Sequence, residues 1–221
     1  MIELNMEQGS IAWHKARTGI VTSTKLKSAV GTPAVQKTLF YELIADRMAE
    51  KVFADYSNDS MAHGNETEDL ARATASKTLG LDFEEKGMLI STIVDDFGIS
   101  PDGVYRRDGK IVGGIEIKCP NSKKHVEYII NKQVPKEYYH QTRSPFVLSD
   151  DIEFWYFMSF DYRNYNHPEF YIKIMRDDVQ KEVMEMRVKL AAFNKMVKVK
   201  HFDMCLNDLT NEVLTMKKEG K

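Results

Sequence analysis

Residues 100–118 read Ser-Pro-Asp-Gly-Val-Tyr-Arg-Arg-Asp-Gly-Lys-Ile-Val-Gly-Gly-Ile-Glu-Ile-Lys, and the fold class turns on this stretch. Gly103, Gly109 and the Gly113-Gly114 pair punctuate short apolar runs, the pattern of strands joined by tight turns. Ile115-Glu116-Ile117-Lys118 then alternates cleanly. On a strand this puts Glu116 and Lys118 on one face, about 7 Å apart, and both isoleucines on the other. Asp102 precedes a glycine turn at a strand end, where a carboxylate can point into a cleft.

Outward from this stretch the period changes. Thr22 to Val30 reads as a short helix closed by Gly31 in a left-handed conformation. Thr32-Pro33 reads as an N-cap and first-turn proline that open a helix to about Glu50. The polar segment Asp55 to Ser60 breaks that pattern, and after Gly64 a further helix runs to about Leu79, with Gly80 closing it. Downstream, Ser122 to Asn131 and Lys136 to Leu148 are helical, the second kinked or restarted at Pro145. Ile152 to Phe160 and Phe170 to Met175 are strands. Val179, Val183, Met186, Leu190 and Phe193 form one stripe on a last long helix. The sum is an α/β protein with a central mixed β-sheet flanked by helices. The expected organisation is a single domain over 1–221, with a core at about 8–175 and C-terminal helices at about 177–218.

Composition narrows the function classes. Of 221 residues, 43% are hydrophobic and 29% charged, which suits a packed core. Two cysteines, Cys119 and Cys205, cannot supply a disulfide framework or a four-cysteine cluster within one chain. No apolar run approaches membrane-spanning length and the N-terminus does not read as a signal peptide, so a cytoplasmic protein without a membrane partner is expected. Lys plus Arg is 31 and Asp plus Glu is 33, a net charge of −2 that argues against a generally basic nucleic-acid binder. The average conceals two opposite stretches. Glu42 to Asp102 holds 14 acidic and 5 basic residues, while Arg106 to Arg143 holds 9 basic and 4 acidic. A carboxylate site for cations beside a surface for phosphates would read this way, as would ordinary solvated surface.

The pattern Asp102, Glu116, Lys118 fits phosphodiester hydrolysis. That reaction needs a divalent ion, an activated water and a positive group near the scissile phosphate. Asp102, Glu116 and an intervening backbone carbonyl supply hard oxygen ligands suited to Mg²⁺. Lys118 can orient or deprotonate the water and stabilise the developing anion. Taken alone the pattern is weak, because Asp-Gly is a common turn and Glu-x-Lys can be a cross-strand ion pair.

Further segments occur in order with it: Trp13-His-Lys-Ala-Arg17-Thr-Gly-Ile-Val-Thr-Ser-Thr24, then Gly64-Asn-Glu-Thr-Glu68, then Ser100-Pro-Asp-Gly103. Glu116-Ile-Lys-Cys-Pro120 and the Trp155-Tyr-Phe157 strand follow. In this order the chain, over roughly Gln8 to Asp161, resembles the phage lambda exonuclease or YqaJ-type viral recombinase family of the PD-(D/E)xK nuclease superfamily, with its restriction-endonuclease-like core. The resemblance implies a Mg²⁺-dependent 5′→3′ exonuclease of linear double-stranded DNA that leaves 3′ single-stranded overhangs for recombination. It further implies two metal ions, with Mn²⁺ as a substitute, a homotrimeric ring and a single-strand annealing partner. A phage-encoded member would work in the host cytoplasm. By the same resemblance Glu68, Asp102, Glu116 and the Ile117 carbonyl are the metal ligands, Lys118 is the catalytic lysine, and Gln141 completes the catalytic set. Arg17, Thr24 and Ser100, with Trp13, form the pocket for the 5′-phosphate. Met61 falls where the family carries an apolar wedge against the terminal base pair.

One segment departs from the family. Relatives carry Gln-x-Gln in an uninterrupted helix where this chain has Gln141-Thr-Arg143-Ser-Pro145, so a cation replaces an amide and a proline follows. Arg143 is retained as a phosphate-contacting candidate. Two rival readings keep the same residues: an endonuclease of restriction or junction-resolving type, and a DNA-end-binding protein with an impaired site. Lys123, Lys124, Lys132 and Lys136 are candidates for tracking a DNA backbone. His140, beside Gln141, is a weaker candidate for the cleft. The Met-rich last helices (Met184, Met186, Met196, Met204, Met216) are expected to pack on the sheet or on a neighbouring subunit.

Overall fold

The computed structural model describes residues 1–49 and 59–218, with side chains described for 1–49 and 67–206. In chain order the elements are β1 (Ile2–Leu4), α1 (Ile11–Arg17), β2 (Val21–Thr22), α2 (Ser23–Ala29), α3 (Pro33–Met48) and α4 (Asp59–Leu79). Then come β3 (Phe83–Glu84), β4 (Met88–Ile90), β5 (Phe97–Ile99), β6 (Gly103–Arg107), β7 (Lys110–Lys118) and α5 (Ser122–Asn131). A 3₁₀ turn at Lys136–Tyr138 leads into α6 (Tyr139–Leu148), β8 (Phe154–Phe160), β9 (Glu169–Met175) and α7 (Arg176–Lys218).

The expected mixed sheet is present, in the order β3-β6-β7-β8-β9. Its one parallel pair is β7 with β8, which places Glu116 beside Phe157 and Lys118 beside Ser159. The α5–α6 segment makes the crossover that a parallel pair requires. Close approach of β8 to β7 explains the Gly113-Gly114 pair. A Cβ at Gly113 would lie 2.4 Å from the Phe154 ring, and one at Gly114 would lie 2.3 Å from the Trp155 ring.

A second sheet, β1-β4-β5-β2, was not apparent from the sequence. Its strands hold only two or three residues, too few to show a period of two. This sheet has one consequence for function. β5 belongs to the small sheet and β6 to the large one, so residues 100–102 are the link between them.

The larger hydrophobic cluster gathers Phe97, Phe146, Trp155, Leu190 and Phe193 where α2, α3, α6 and α7 pack together. A smaller cluster on the far face of β7 sets Ile115 and Ile117 against Ala71 and Ala75 of α4. The alternation read at 115–118 therefore holds: the isoleucines face α4 and Glu116 faces α6. Each such buried aliphatic side chain contributes about 1.5–3 kcal/mol through removal from water.

Four local expectations change. Gly80 takes the left-handed φ of 64°, but Gly31 does not. At Gly31 space is the constraint instead, because a Cβ would lie 3.1 Å from the Lys27 carbonyl. The helix read as starting after Gly64 begins at Asp59. Helix α6 runs through Pro145 without restarting. Proline cannot donate to the Gln141 carbonyl one turn back, and the Ser144 hydroxyl donates to that carbonyl instead, at 2.7 Å. Finally, the C-terminal region is one helix, Arg176–Lys218, with Met186 buried and Met184 and Met196 exposed.

Candidate active site

β7 carries Glu116 and Lys118 to the end of the sheet nearest the 100–102 link. The Asp102 carboxylate accepts from the Ile117 amide at 2.6 Å, which fixes it against the same strand. Lys118 Nζ lies 2.6 Å from Glu116 Oε1 and 3.9 Å from Asp102 Oδ2. From α6, Gln141 Nε2 donates to Glu116 Oε1 at 3.2 Å. Four of the sequence-predicted residues, Asp102, Glu116, Lys118 and Gln141, are thus joined in one chain of contacts. Tyr138 adds an aromatic face 5.3 Å from Lys118 Nζ.

Glu68 approaches from α4. Arg72 lies 3.6 Å from Glu68 Oε1, and its Nε donates to the Asp102 carbonyl at 2.5 Å. Arg72 also reaches Asp69 and Glu85. This arginine ties the helix bearing Glu68 to the turn bearing Asp102. Sequence reading missed it, although its position four residues after Glu68 puts both on one helical face.

Electrostatics follow from crowding. Burial first, then the repulsion of Glu116, pushes the Asp102 carboxyl well above the ordinary aspartate range. Burial likewise raises Glu68. Burial opposes the charge on Lys118, but Glu116 and Asp102 outweigh it, so its pKa is raised and the ammonium is held protonated. Among the described residues no group of three or more His, Cys, Asp or Glu side chains is already arranged to hold a metal ion; the cations among these carboxylates are Lys118 and Arg72. The donor set is nonetheless hard and anionic. Asp102 is bonded to the Ile117 amide, and Glu116 is the residue before it on the same strand. These residues fit a hard divalent cation.

A second cluster lies across the link. The Ser10 hydroxyl caps α1 by accepting from the Trp13 amide at 3.2 Å. One turn later Arg17 stacks on the Trp13 ring, 4.0 Å from its centroid. Ser100 Oγ accepts from Arg17 Nη1 at 2.9 Å and from Trp13 Nε1 at 2.8 Å. Gln8 clamps the segment by donating to the Lys86 and Pro101 carbonyls. Burial holds the Arg17 pKa below its usual value, although a guanidinium stays charged. Thr24 stands apart from these bonds, exposed in the first turn of α2, with its hydroxyl 3.1 Å from that of Thr22. The parallel pairing of β2 with β5 sets Thr22 beside Gly98, so Thr24 and Ser100 leave the small sheet at the same end. An arginine with nearby hydroxyls is a fork for phosphate oxygens.

Arg143 does not join the carboxylate cluster. It lies over the Tyr139 ring at 4.2 Å, with Nε 3.4 Å from Glu182 of α7. There it lines a cleft of about 550 Å³ with His140 and Ile174. The amide-to-cation change read from the sequence thus points its charge at α7. Lys124 pairs with Glu137 at 3.4 Å, and Lys132 closes α5 in a left-handed conformation. The Met61 side chain lies outside the described residues, as does that of Met216.

A family model for the YqaJ-like viral recombinase domain matches residues 12–149, more than half of the chain. Two solved structures are similar over nearly their whole length. An alkaline exonuclease (LHK-Exo) from Laribacter hongkongensis has a TM-score of 0.77 and 26% identity, covering 91% of this chain and 99% of that one. LHK-Exo in complex with dAMP has a TM-score of 0.76 and 27% identity, with the same coverage. No curated protein matches the chain. The α/β architecture is accordingly the restriction-endonuclease-like fold of these neighbours. Among the described residues no helix is long and apolar enough to cross a membrane.

Proposed function

This chain belongs to the YqaJ-like viral recombinase domain family, and on that premise we propose that it is a Mg²⁺-dependent 5′→3′ exonuclease of linear double-stranded DNA. One observation carries the reading. The Asp102–Glu116–Lys118 cluster and the Arg17–Trp13–Ser100 pocket lie at the two ends of a three-residue link. A terminal phosphate held at one end leaves the adjacent phosphodiester within reach of the other. The alkaline exonuclease neighbour with dAMP supports the same class, since a deoxynucleoside monophosphate is what an exonuclease releases.

In this reading Arg17 and Ser100, with Thr24, grip the 5′-phosphate, and Trp13 holds both the guanidinium and the hydroxyl in place. Glu68, Asp102, Glu116 and the Ile117 carbonyl hold the divalent ions, two Mg²⁺ with Mn²⁺ able to replace them. When bound, they supply Lewis-acid neutralisation of the scissile phosphate. Lys118 orients the attacking water and stabilises the developing negative charge; Gln141 keeps Glu116 aimed at the site. Met61 is the wedge against the terminal base pair, and Arg143 is an outlying phosphate contact. A homotrimeric ring around the duplex and an annealing protein that receives the 3′ overhang complete the proposal. Both rest on family membership, as does work in the host cytoplasm.

The test uses linear duplex labelled at either 5′ or 3′ ends beside covalently closed circles. Progressive loss of the 5′-ended strand with circles intact supports the proposal. Cutting of closed circles would instead make the chain an endonuclease on the same fold.

A further inference from the structure

The segment 161–168, which joins β8 to β9, rises beside the end of the catalytic strand and displays two tyrosines to solvent. Tyr165 is 95% exposed and Tyr162 is 51% exposed. The base of the segment is firmly tied. The Asp161 amide donates to the Pro168 carbonyl at 2.9 Å, and the buried Asp161 carboxylate accepts from Arg163 Nε at 2.6 Å. The His167 carbonyl accepts from the buried His125 ring at 2.8 Å. Arg163 Nη2 also donates to the Pro120 carbonyl at 3.2 Å, two residues beyond Lys118. The same arginine lies 5.8 Å from the Tyr162 ring centroid. Next to this contact Asn121 caps α5 and Lys123 stands exposed in its first turn.

We propose that Tyr162 and Tyr165, with Arg163 and Lys123, form a stacking platform for unpaired bases of the 3′-ended strand that digestion exposes beside the Lys118 site. This inference rests on the nuclease reading and names a contact beyond it. Large aromatic faces are costly to leave in water, and here they stand on an anchored base rather than a free tail. Arg163 reaches both the Tyr162 ring and the Pro120 carbonyl just past the catalytic strand, and Lys123 stands exposed in the helix that follows, so the polymer crossing that end is an anion carrying π-faces. Bases inside a duplex are already stacked on one another. Free ring faces therefore suit a single strand, which binds by base–aromatic stacking and a cationic track.

The test is fluorescence anisotropy in EDTA, with oligothymidylate, a duplex carrying a 3′ single-stranded extension, and a blunt duplex. The Tyr162→Ala/Tyr165→Ala variant is expected to lose about fivefold to a hundredfold in affinity for the two single-stranded probes. Its binding to blunt duplex should change less than about twofold, and its subunit number by light scattering should match the parent. Tyr162→Phe/Tyr165→Phe keeps the ring faces and should restore binding. Unchanged single-strand affinity in the alanine variant overturns the platform while leaving the exonuclease reading standing. A change in subunit number would place the tyrosines at a subunit contact and overturn it equally. If the parent binds no DNA of any form, both readings fall together.

Discussion

On the small-sheet side of residues 100–102 a guanidinium lies on an indole and bonds to a hydroxyl. On the large-sheet side Asp102 and Glu116 crowd one lysine, with Glu68 approaching from α4. The first region is built to attract an anion. The second gathers carboxylates around that lysine, and burial, then the nearby Glu116, holds Asp102 well above its usual range. In the proposed reading a polyanion is gripped at the first region and cleaved at the second only when divalent ions are bound there. Binding and chemistry are separate jobs held at fixed spacing by three residues. This separation can be broken one side at a time.

Lys118→Ala should have the largest effect, slowing cleavage by roughly two to four orders of magnitude. Binding of 5′-phosphorylated ends, measured by anisotropy in Ca²⁺ or EDTA, should stay close to the parent. Equal loss of binding and rate would show that the two regions are one.

Asp102→Asn sharpens the contrast through stability. A carboxyl whose folded pKa is raised stabilises the fold below its unfolded pKa, and that contribution is lost as pH rises through the folded value. In EDTA the parent should weaken across that window, whereas the amide variant, neutral throughout, should not. The expected result is an inactive variant that melts about 2–4 °C above the parent at neutral pH, the equivalent of about 1 kcal/mol at this chain length. The gap should close in acid and shrink when Mg²⁺ is added to the parent. A variant less stable than the parent at every pH would contradict the account of Asp102.

The smallest effect is local to α6. Ser144→Ala leaves the Gln141 carbonyl without the hydroxyl that replaces Pro145's missing amide. A loss of about 1 kcal/mol in stability is expected by denaturant titration, with a modest fall in rate through Gln141. Unchanged stability would mean that the proline is tolerated for another reason.

These same residues show what sequence alone could carry. The alternation at Ile115–Lys118 and the Asp102-Gly103 turn were legible because a strand's period and a turn's chemistry are written over a few adjacent residues. The order of motifs then pointed to Arg17 and Ser100. The small sheet was not legible, since β2 and β5 pair two and three residues from distant parts of the chain. Nor was the direction of Arg143, because Glu182 and Tyr139 meet only once α6 packs on α7. Pro145 in α6 misled for a related reason. A rule about proline holds until a neighbouring hydroxyl takes the orphaned carbonyl, and Ser144 does so.

The central claim is that end recognition on one side directs hydrolysis on the other. The most direct measurement compares digestion of linear duplex bearing 5′-phosphate or 5′-hydroxyl ends, for the parent and for Arg17→Ala, in Mg²⁺. The account predicts faster digestion of phosphorylated ends by the parent. It also predicts that Arg17→Ala loses that preference by roughly tenfold to a hundredfold, the worth of a charge-assisted hydrogen bond. Equal rates on both ends by the parent, or an undiminished preference in the variant, would contradict it.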